Sequence, residues 1–223
     1  KNLTSELPKK TEKIIVNNVL TELARVTKLI YPFSDIDYPD LSLKDMSKHN
    51  YKFVKYGKNV LIGKNVKIGK NSIIGSNTII EHDVEIGKEC IIGSGVIIKN
   101  TLIKDNVVIQ DNTKIGQKGF GFIPSNKENF KFPHIGKVVI NDNVEIATGC
   151  TIDRGSIDDT EIGENTYLDN QVHIAHNVKI GSNCMIAGQV GFAGSSIIGN
   201  KVSIGGQAGV SGHLRIGNNV RIG

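Results

Sequence analysis

The sequence predicts a mainly β protein, a parallel β-helix of hexapeptide repeats, preceded by a short α/β segment. Three observations carry this prediction. An apolar residue recurs every six positions, a glycine or alanine often follows it, and aromatic residues are too few to fill a conventional core. Of the 223 residues, 25 are glycine, none is tryptophan and only 5% are aromatic, so isoleucine and valine must supply the interior.

The six-residue period is the strongest of these signals. It runs unbroken from Ile162 to Ile222, and eleven positions in register are too many for coincidence. Such a period fits neither an amphipathic helix nor an alternating strand, but it fits a short strand and a sharp turn, repeated. Three hexapeptides then make one coil, and coils stack about 4.8 Å apart. We attribute the glycines to the tight turns. Earlier members of the series are Tyr56, Ile62, Ile68, Ile74, Ile80, Ile86, Ile92, Ile98, Ile103, Ile109, Ile115, Ile140, Ile146 and Ile152.

The chain divides into an N-terminal segment, residues 1–50, and a β-helix domain, residues 51–223. In the first part the pattern predicts a short strand at 14–16, then a helix, then a linker over 33–50. This segment is either the tail of a separate α/β module or a small packing helix.

The predicted helix has clear boundaries. Asn17 or Asn18 is a suitable N-cap, and the Tyr31-Pro32 pair ends the helix, because the residue before proline avoids helical geometry. Helical spacing places four apolar residues on one face: Val19, Leu23, Val26 and Ile30.

Composition excludes several classes of protein. The net charge is +5, but lysine is spread along the chain and is not concentrated in a stripe with aromatics, which argues against a nucleic-acid binder. The charge better suits a phosphate-bearing or acidic partner. No apolar run approaches a membrane span. Three widely spaced cysteines, Cys90, Cys150 and Cys184, argue against a disulfide framework or zinc site and are interpreted as small buried residues in a reducing compartment.

Residues 117–134 interrupt the repeats and hold four of the seven phenylalanines. The segment is too long for a coil corner, so we expect an extruded loop. Long ordered loops on rigid scaffolds commonly carry function. Phe120 and Phe122 are therefore candidate substrate-binding residues, with packing against a neighbouring subunit as the alternative.

The stretch 150–177 carries polar groups that a β-helix core does not need. Ile174 and Val210 are two full coils apart, so His176 and His213 belong near the same edge of the prism, about 10 Å apart. Asp169 lies on the adjoining face, so a site between copies could use both faces. Histidine is the usual general base near neutral pH. With no GxSxG motif for a covalent nucleophile, direct attack by a substrate amine or hydroxyl is the natural chemistry.

Three runs in order are specific: after a GFGF loop come FPHIGKVVINDNVEIATGCTIDRGSIDDTEIG, then LDNQVHIAHNVKIGSN, then GGQAGVSGHLRIG. On these residues the chain resembles the UDP-3-O-acylglucosamine N-acyltransferases of lipid A biosynthesis. The resemblance covers about residues 56–223 and, less clearly, 14–32.

The resemblance implies a left-handed β-helix and a cytoplasmic homotrimer with sites between adjacent copies. It implies transfer of a 3-hydroxyacyl chain from the 4'-phosphopantetheine of acyl carrier protein to the 2-amino group of a UDP-sugar, with at most peripheral membrane contact and no metal or other cofactor. It gives His176 as general base, Asp169 as the group that orients it, and His213 and Asn170 as substrate-binding residues.

The family also has an N-terminal uridine-binding domain and C-terminal helices. Only the tail of the first is expected here, and the sequence stops in mid-repeat at Gly223. We therefore expect either an incomplete chain or a reduced homologue.

Two other functions stay open. One keeps the fold and uses coenzyme A to acetylate or acylate another nucleotide-amino sugar. The other is a non-catalytic β-helix scaffold. A metal-dependent variant needs three histidines in phase, which the spacing of His173, His176 and His213 disfavours.

Overall fold

The computed structural model describes residue 8, residues 10–125 and residues 128–223. Residues 1–7 and 9 of the N-terminal segment, and 126–127 of the 117–134 loop, lie outside the described residues. The predicted parallel β-helix is confirmed: three sheets run along the solenoid, with nine, eight and nine strands, and each coil contributes one strand to each sheet. All pairings within these sheets are parallel except that of the strand Lys44–Asp45, which the N-terminal segment adds.

Two sheets follow the coils from one end to the other. Sheet A consists of Lys44–Asp45, Leu61–Ile62, Ile79–Ile80, Ile97–Ile98, Lys114–Lys118, Thr151–Arg154, His173–Ile174, Gly191–Phe192 and Gly209–Val210. Sheet B consists of Lys55–Tyr56, Ile73–Ile74, Ile91–Ile92, Val108–Ile109, Glu145–Ile146, Tyr167–Leu168, Met185–Ile186, Ser203–Ile204 and Arg221–Ile222.

The third sheet closes the prism. Sheet C consists of Lys67–Ile68, Glu85–Ile86, Thr101–Ile103, Val138–Ile140, Thr160–Ile162, Lys179–Ile180, Ile197–Ile198 and Arg215–Ile216. The second residue of most strand pairs points inward, so Ile174 lies opposite Phe192, which lies opposite Val210. The sequence therefore predicted correctly which residues of the six-residue repeat point inward, and one of them, Ile180, is only 3% exposed.

The glycines do not make the turns of the coils, although the sequence analysis attributed them to the turns. The backbone reverses at a residue with positive φ, once in most hexapeptides, and asparagine often fills that place, as at Asn71 and Asn177. The glycines that follow the inward residues mostly have ordinary φ. At Gly69 an added Cβ would lie 2.4 Å from the carbonyl carbon of Gly87 in the next coil. Attributing these glycines to the turn was therefore wrong: close stacking of coils requires them.

The N-terminal helix is confirmed, and the preceding strand is wrong. Helix α1 spans Val19–Ile30, and Asn18 caps it by accepting a hydrogen bond from the Thr21 amide. Residues 14–16 form no strand, because no neighbouring strand offers them a partner within the described chain. The expected apolar face of the helix is exposed. The residues that the helix buries are Ala24 and Thr27.

The predicted linker, 33–50, is packed against the solenoid. Its strand Lys44–Asp45 pairs antiparallel with Leu61–Ile62, and the following 3-10 helix, Met46–Lys48, buries Met46 on the core. Strand pairing and apolar burial thus hold this segment on the first coils.

The 117–134 loop leaves the solenoid as expected. Its strands Phe122–Ile123 and Phe130–Lys131 pair only with each other among the described strands. The loop then returns to sheet C, and its ends pack over one corner of the β-helix.

The cysteines are free and buried, as predicted. Burial raises the pKa of the Cys150 thiol to about 11, which keeps it protonated and unreactive. In the part of the chain that the structure describes, no helix is long and apolar enough to cross a bilayer.

Candidate functional site

The corner after strand His173–Ile174 presents His176 beside the left-handed residue Asn177. Nδ1 of the half-buried imidazole lies 2.9 Å from Oδ1 of Asn177. The amide cannot be turned round, because its Nδ2 donates to the Asp158 carbonyl oxygen at 2.8 Å. Oδ1 is therefore the acceptor, and Nδ1 of His176 carries the proton. This leaves the lone pair on Nε2, which is the form a general base needs.

Asn177 is itself held firmly. Its Oδ1 also accepts from the Ser156 amide at 3.0 Å and from Oγ of Ser156 at 2.8 Å. Its own amide donates to Oγ1 of Thr160 at 2.8 Å. Its φ of +62° is one that asparagine tolerates better than most residues. The tautomer of His176 is thus fixed by a rigid corner.

A notch lies directly below the imidazole. The positions stacked one and two coils below His176 are Gly194 and Gly212, whereas earlier coils carry longer side chains at this corner, such as Lys64 and His82. A Cβ at Gly194 would lie 2.8 Å from both Cε1 and Nε2 of His176. Glycine is needed so that the Cε1–Nε2 edge of the ring can lie close against the next coil, and the notch runs from this edge towards the C-terminal coils.

The 117–134 loop covers the other side of the ring. A Cβ at Gly119 would lie 2.7 Å from Cβ of His176 and 3.0 Å from Nε2 of His134. The rings of His134 and His176 are perpendicular, with centroids 5.0 Å apart. His176 therefore lies between Gly119 above and Gly194 below.

Arg154 of the TIDRG run holds this arrangement together from inside. Its guanidinium is buried, and it donates to the carbonyl oxygens of His134 at 3.0 Å and Gly116 at 2.9 Å. It also pairs with Asp37 of the N-terminal segment at 2.9 Å. Burial opposes ionisation of Asp37, but hydrogen bonds from Arg154 and Lys99 outweigh it and lower the pKa of the Asp37 carboxyl. The motif that suggested chemistry is therefore a positioning element.

Asp153, next to Arg154, is a second buried ionisable group. Burial raises the pKa of its carboxyl to about 7, although Lys118 and Arg154 act in the opposite direction. Lys118 lies over the ring of Phe122, with Nζ 5.5 Å from the centroid, and burial lowers the pKa of its ammonium.

The structure does not bring Asp169 to His176 within one chain. Asp169 follows a strand of sheet B, whereas His176 follows a strand of sheet A, and no hydrogen bond joins them among the described residues. Oδ1 of Asp169 accepts from the backbone amide and side chain of Asn170, and both residues are exposed. Their predicted roles need a second copy and stay predictions.

His213 lies on the same edge as His176, as the spacing predicted. It is stacked two coils from Asn177, through Ser195, and its exposed side chain leaves a corner with φ of +59°. It therefore stands near the far end of the glycine notch, about 10 Å from the imidazole of His176 by strand spacing.

Phe120 and Phe122 form an exposed aromatic pair at the start of the loop. Their centroids are 4.8 Å apart in an edge-to-face arrangement, and Phe120 is 85% exposed. An exposed pair of this kind suits contact with an apolar chain or a second protein, as the sequence suggested.

Sequence reasoning missed three parts of the site. Asn177 was not singled out within the 150–177 stretch, and His134 was no more than the last residue of the 117–134 loop. The stack of Phe33 on Tyr38, with centroids 5.0 Å apart, beside a cavity of about 540 Å³, was assigned to a linker. The backbone at this stack is unusual, because the bulky Phe33 has a left-handed φ of +72°. No pattern in the sequence predicts this conformation.

The described residues include no cluster of three or more histidine, cysteine, aspartate or glutamate side chains that could hold a metal ion.

Residues 65–100 and 159–194 match the profile of the bacterial transferase hexapeptide family (six repeats). The chain thus carries the repeats of this transferase family.

Curated relatives named UDP-3-O-acylglucosamine N-acyltransferase match a shorter stretch. The protein from Rhizobium rhizogenes (strain K84 / ATCC BAA-868) is 58% identical over 66 residues, which is 30% of this chain, and that from Agrobacterium fabrum (strain C58 / ATCC 33970) is 53% identical over 66 residues. Each match spans 19% of the relative's length.

Solved structures share the fold over a longer range. UDP-N-acetylglucosamine O-acyltransferase from Moraxella catarrhalis RH4 is 31% identical with a TM-score of 0.53, covering 77% of this chain and 66% of that one. UDP-N-acetylglucosamine acyltransferase from Campylobacter jejuni has a TM-score of 0.66 and 23% identity, covering 75% of this chain and 65% of that one. The second likeness concerns the fold alone.

Proposed function

We propose that this chain is the β-helix part of an N-acyltransferase of lipid A biosynthesis. The reaction would move a 3-hydroxyacyl chain from acyl carrier protein to the 2-amino group of UDP-3-O-acylglucosamine. The observation that carries the proposal is the fixed tautomer of His176, whose Nδ1 donates to Asn177 and whose Nε2 is left as a base above the glycine notch. The names of the relatives supply the substrate class.

The mechanism needs only a base and correct placement. The neutral substrate amine attacks the thioester carbonyl carbon while Nε2 of His176 takes one amine proton, and a C–N bond forms. The tetrahedral intermediate then collapses, the C–S bond breaks, and the imidazolium returns its proton to the leaving thiolate. A thioester is already activated, so positioning and general-base catalysis account for the rate.

The glycine notch is the path we assign to the donor. A pantetheine arm with its acyl chain is long and narrow, and the notch below His176 continues past Gly194 and Gly212 towards His213. The thioester would lie at the imidazole, and His213 would contact the donor further along. The exposed Phe120 and Phe122 would cover the apolar chain from the loop side.

We also propose a homotrimer, because sheet B carries a strip of exposed apolar side chains. Ile73, Ile91, Tyr167 and Met185 project outward from this sheet and are 41–60% exposed. A strip of this kind marks an interaction surface. It borders Asp169, so a neighbouring copy on this face would bring Asp169 of one protomer towards the imidazole of another. Sedimentation equilibrium should give three times the protomer mass, and Met185→Glu should lower it.

Transfer assays on the full-length protein test the activity. Mass spectrometry would follow UDP-3-O-acylglucosamine and UDP-N-acetylglucosamine as acceptors, with 3-hydroxyacyl carrier protein or acetyl-coenzyme A as donor. We expect an amide, formed only from the carrier-protein donor. Ester formation on UDP-N-acetylglucosamine, the acceptor class in the names of the structural relatives, would move the protein to O-acyl transfer. Acetylation would favour the coenzyme A alternative, and no product from any pair would favour the scaffold.

A further inference from the structure

His134 is a buried histidine that the proposed mechanism does not use. Its side chain is almost fully buried, with only 2% of the residue exposed. Its Nε2 has no hydrogen-bond partner within the part of the chain that the structure describes. A buried polar atom left without a partner costs free energy, so a different contribution must explain the residue.

The position of the His134 ring is tightly determined. Its backbone amide donates to the Ser34 carbonyl oxygen at 2.8 Å, and its own carbonyl oxygen accepts from Arg154 at 3.0 Å. Nδ1 lies 3.0 Å from the Phe132 carbonyl oxygen, which can only accept, so Nδ1 carries the proton. Three elements of the fold, including the N-terminal segment, therefore fix this residue: two of the bonds hold its backbone, and the Phe132 carbonyl orients its ring.

The ring packs on His176 in a defined geometry. The two planes are 85° apart and the centroids are separated by 5.0 Å. Gly119 fills the space beside both rings, and even a methyl group there would lie 3.0 Å from Nε2 of His134 and 3.1 Å from Cδ2 of His176. The imidazole of His176 thus has three fixed neighbours: Asn177 at Nδ1, Gly194 below and His134 at its side.

His134 stays neutral in this place. Burial, reinforced by the nearby charge of Lys118, lowers the pKa of its imidazole to about 3. The contact with His176 is therefore the same at every pH at which transfer would be measured.

We propose that His134 is a positioning residue: its neutral ring fixes the plane of the His176 imidazole so that Nε2 faces the glycine notch. Asn177 determines which nitrogen carries the proton, and His134 determines where the other nitrogen points. The inference rests on the proposed function of His176, but the geometric part of it can be tested without any turnover.

The first test compares two substitutions at this place. His134→Ala removes the ring and should lower kcat about 10- to 100-fold, since a misplacement near 1 Å can cost about 100-fold, while KM stays within about twofold. His134→Gln keeps a planar neutral group that can donate to Phe132 and should recover most of kcat. The matched control is His49→Ala, which removes another ring with a buried, unpartnered Nε2, packed on Tyr51 far from the site. It should leave kcat unchanged.

A double-mutant cycle separates positioning from general stability. In the His176→Ala background, His134→Ala should lower the residual rate no further, because there is no imidazole left to orient. Independent, multiplicative losses, or a His134→Ala variant with the parent kcat, would overturn the proposal.

Crystal structures of the parent and of His134→Ala test the geometry alone. We expect one orientation of the His176 ring in the parent and more than one in the variant. An unchanged single orientation in the variant would overturn the inference whether or not the protein transfers acyl groups. If the parent forms no product but the ring reorients in the variant, the proposed function fails and the positioning role stands. Should His134→Ala fail to fold, the same comparison is made with His134→Val, whose apolar side chain fills part of the space but offers no planar group to the His176 ring and should still permit more than one orientation.

Discussion

Gly194 offers the sharpest test of the site geometry. In Gly194→Ala the new Cβ would lie 2.8 Å from Cε1 and Nε2 of His176, whereas ordinary contacts begin near 3.4 Å. The imidazole must therefore move by roughly 0.6 Å, away from the notch and towards the loop. Gly119 lies so close on the other side that even a Cβ there would be 2.7 Å from Cβ and 3.1 Å from Cδ2 of His176, so the ring cannot simply retreat. A shift of this size in a general base should lower kcat roughly 10- to 100-fold.

The substitution should leave the fold intact. The φ of Gly194 is not in the left-handed region, so alanine is compatible with the backbone. The matched control is Gly191→Ala on the same coil, where no described atom lies within 4 Å of the new Cβ. Steady-state kinetics and thermal melting of both variants, beside the parent, make the comparison. Parent-like kcat in a folded Gly194→Ala variant would refute the claim that the Cε1–Nε2 edge of the ring lies against this glycine.

Three further predictions follow from the corner, the core and the buried histidine. Asn177→Gly keeps the positive φ but removes the side-chain amide that fixes the tautomer of His176, so kcat should fall at least tenfold. The control Asn183→Gly, at the same kind of corner with φ of +59°, should keep the parental kcat. Equal kcat values for the two variants would show that Asn177 does not fix the tautomer. Ile180→Asp should abolish soluble, cooperatively melting protein, because it buries an unpaired charge. The control Ile197→Asp, at the outward position of a sheet C strand and away from the proposed trimer face, should fold. A normally melting Ile180→Asp variant would show that Ile180 does not point inward. The neutral form of His134 favours the folded state, so its contribution to stability is complete above about pH 6.5 and is lost as the pH falls towards about 3. As the pH falls over that range, the free energy of unfolding from chemical denaturation should therefore drop less for His134→Gln than for the parent. The same pH dependence in both proteins would contradict the claim that His134 is neutral in the folded state.

The repeats made the scaffold predictable because each coil obeys the same local rule. One inward side chain every six residues is enough to place Ile174, Ile180 and Val210, and with them the corner that carries His176. The same arithmetic placed His213 on that edge. The N-cap at Asn18 was also visible, since capping depends on neighbours in sequence.

The remainder of the site depends on contacts that no local rule contains. Arg154 and Asp37 meet across 117 positions of sequence, and His134 reaches His176 only because the loop returns over the same corner. Asn177 could not be singled out, because asparagine occupies many corners for purely conformational reasons. The glycines were misinterpreted for a related reason: their constraint comes from the adjacent coil, 17 to 19 residues away at Gly69, Gly87 and Gly163, and not from their own turn.

The most direct measurement is kcat/KM for transfer to the amino sugar by the parent, His176→Ala and His173→Ala. His173 is a matched control on the same coil, with its Nδ1 hydrogen-bonded to Thr151 at 2.8 Å and its ring outside the notch. The account predicts a loss of about 100- to 10,000-fold for His176→Ala, with unchanged melting, and a nearly parental value for His173→Ala. A folded His176→Ala variant that retains parental kcat/KM would contradict the central claim that Nε2 of His176 takes the proton.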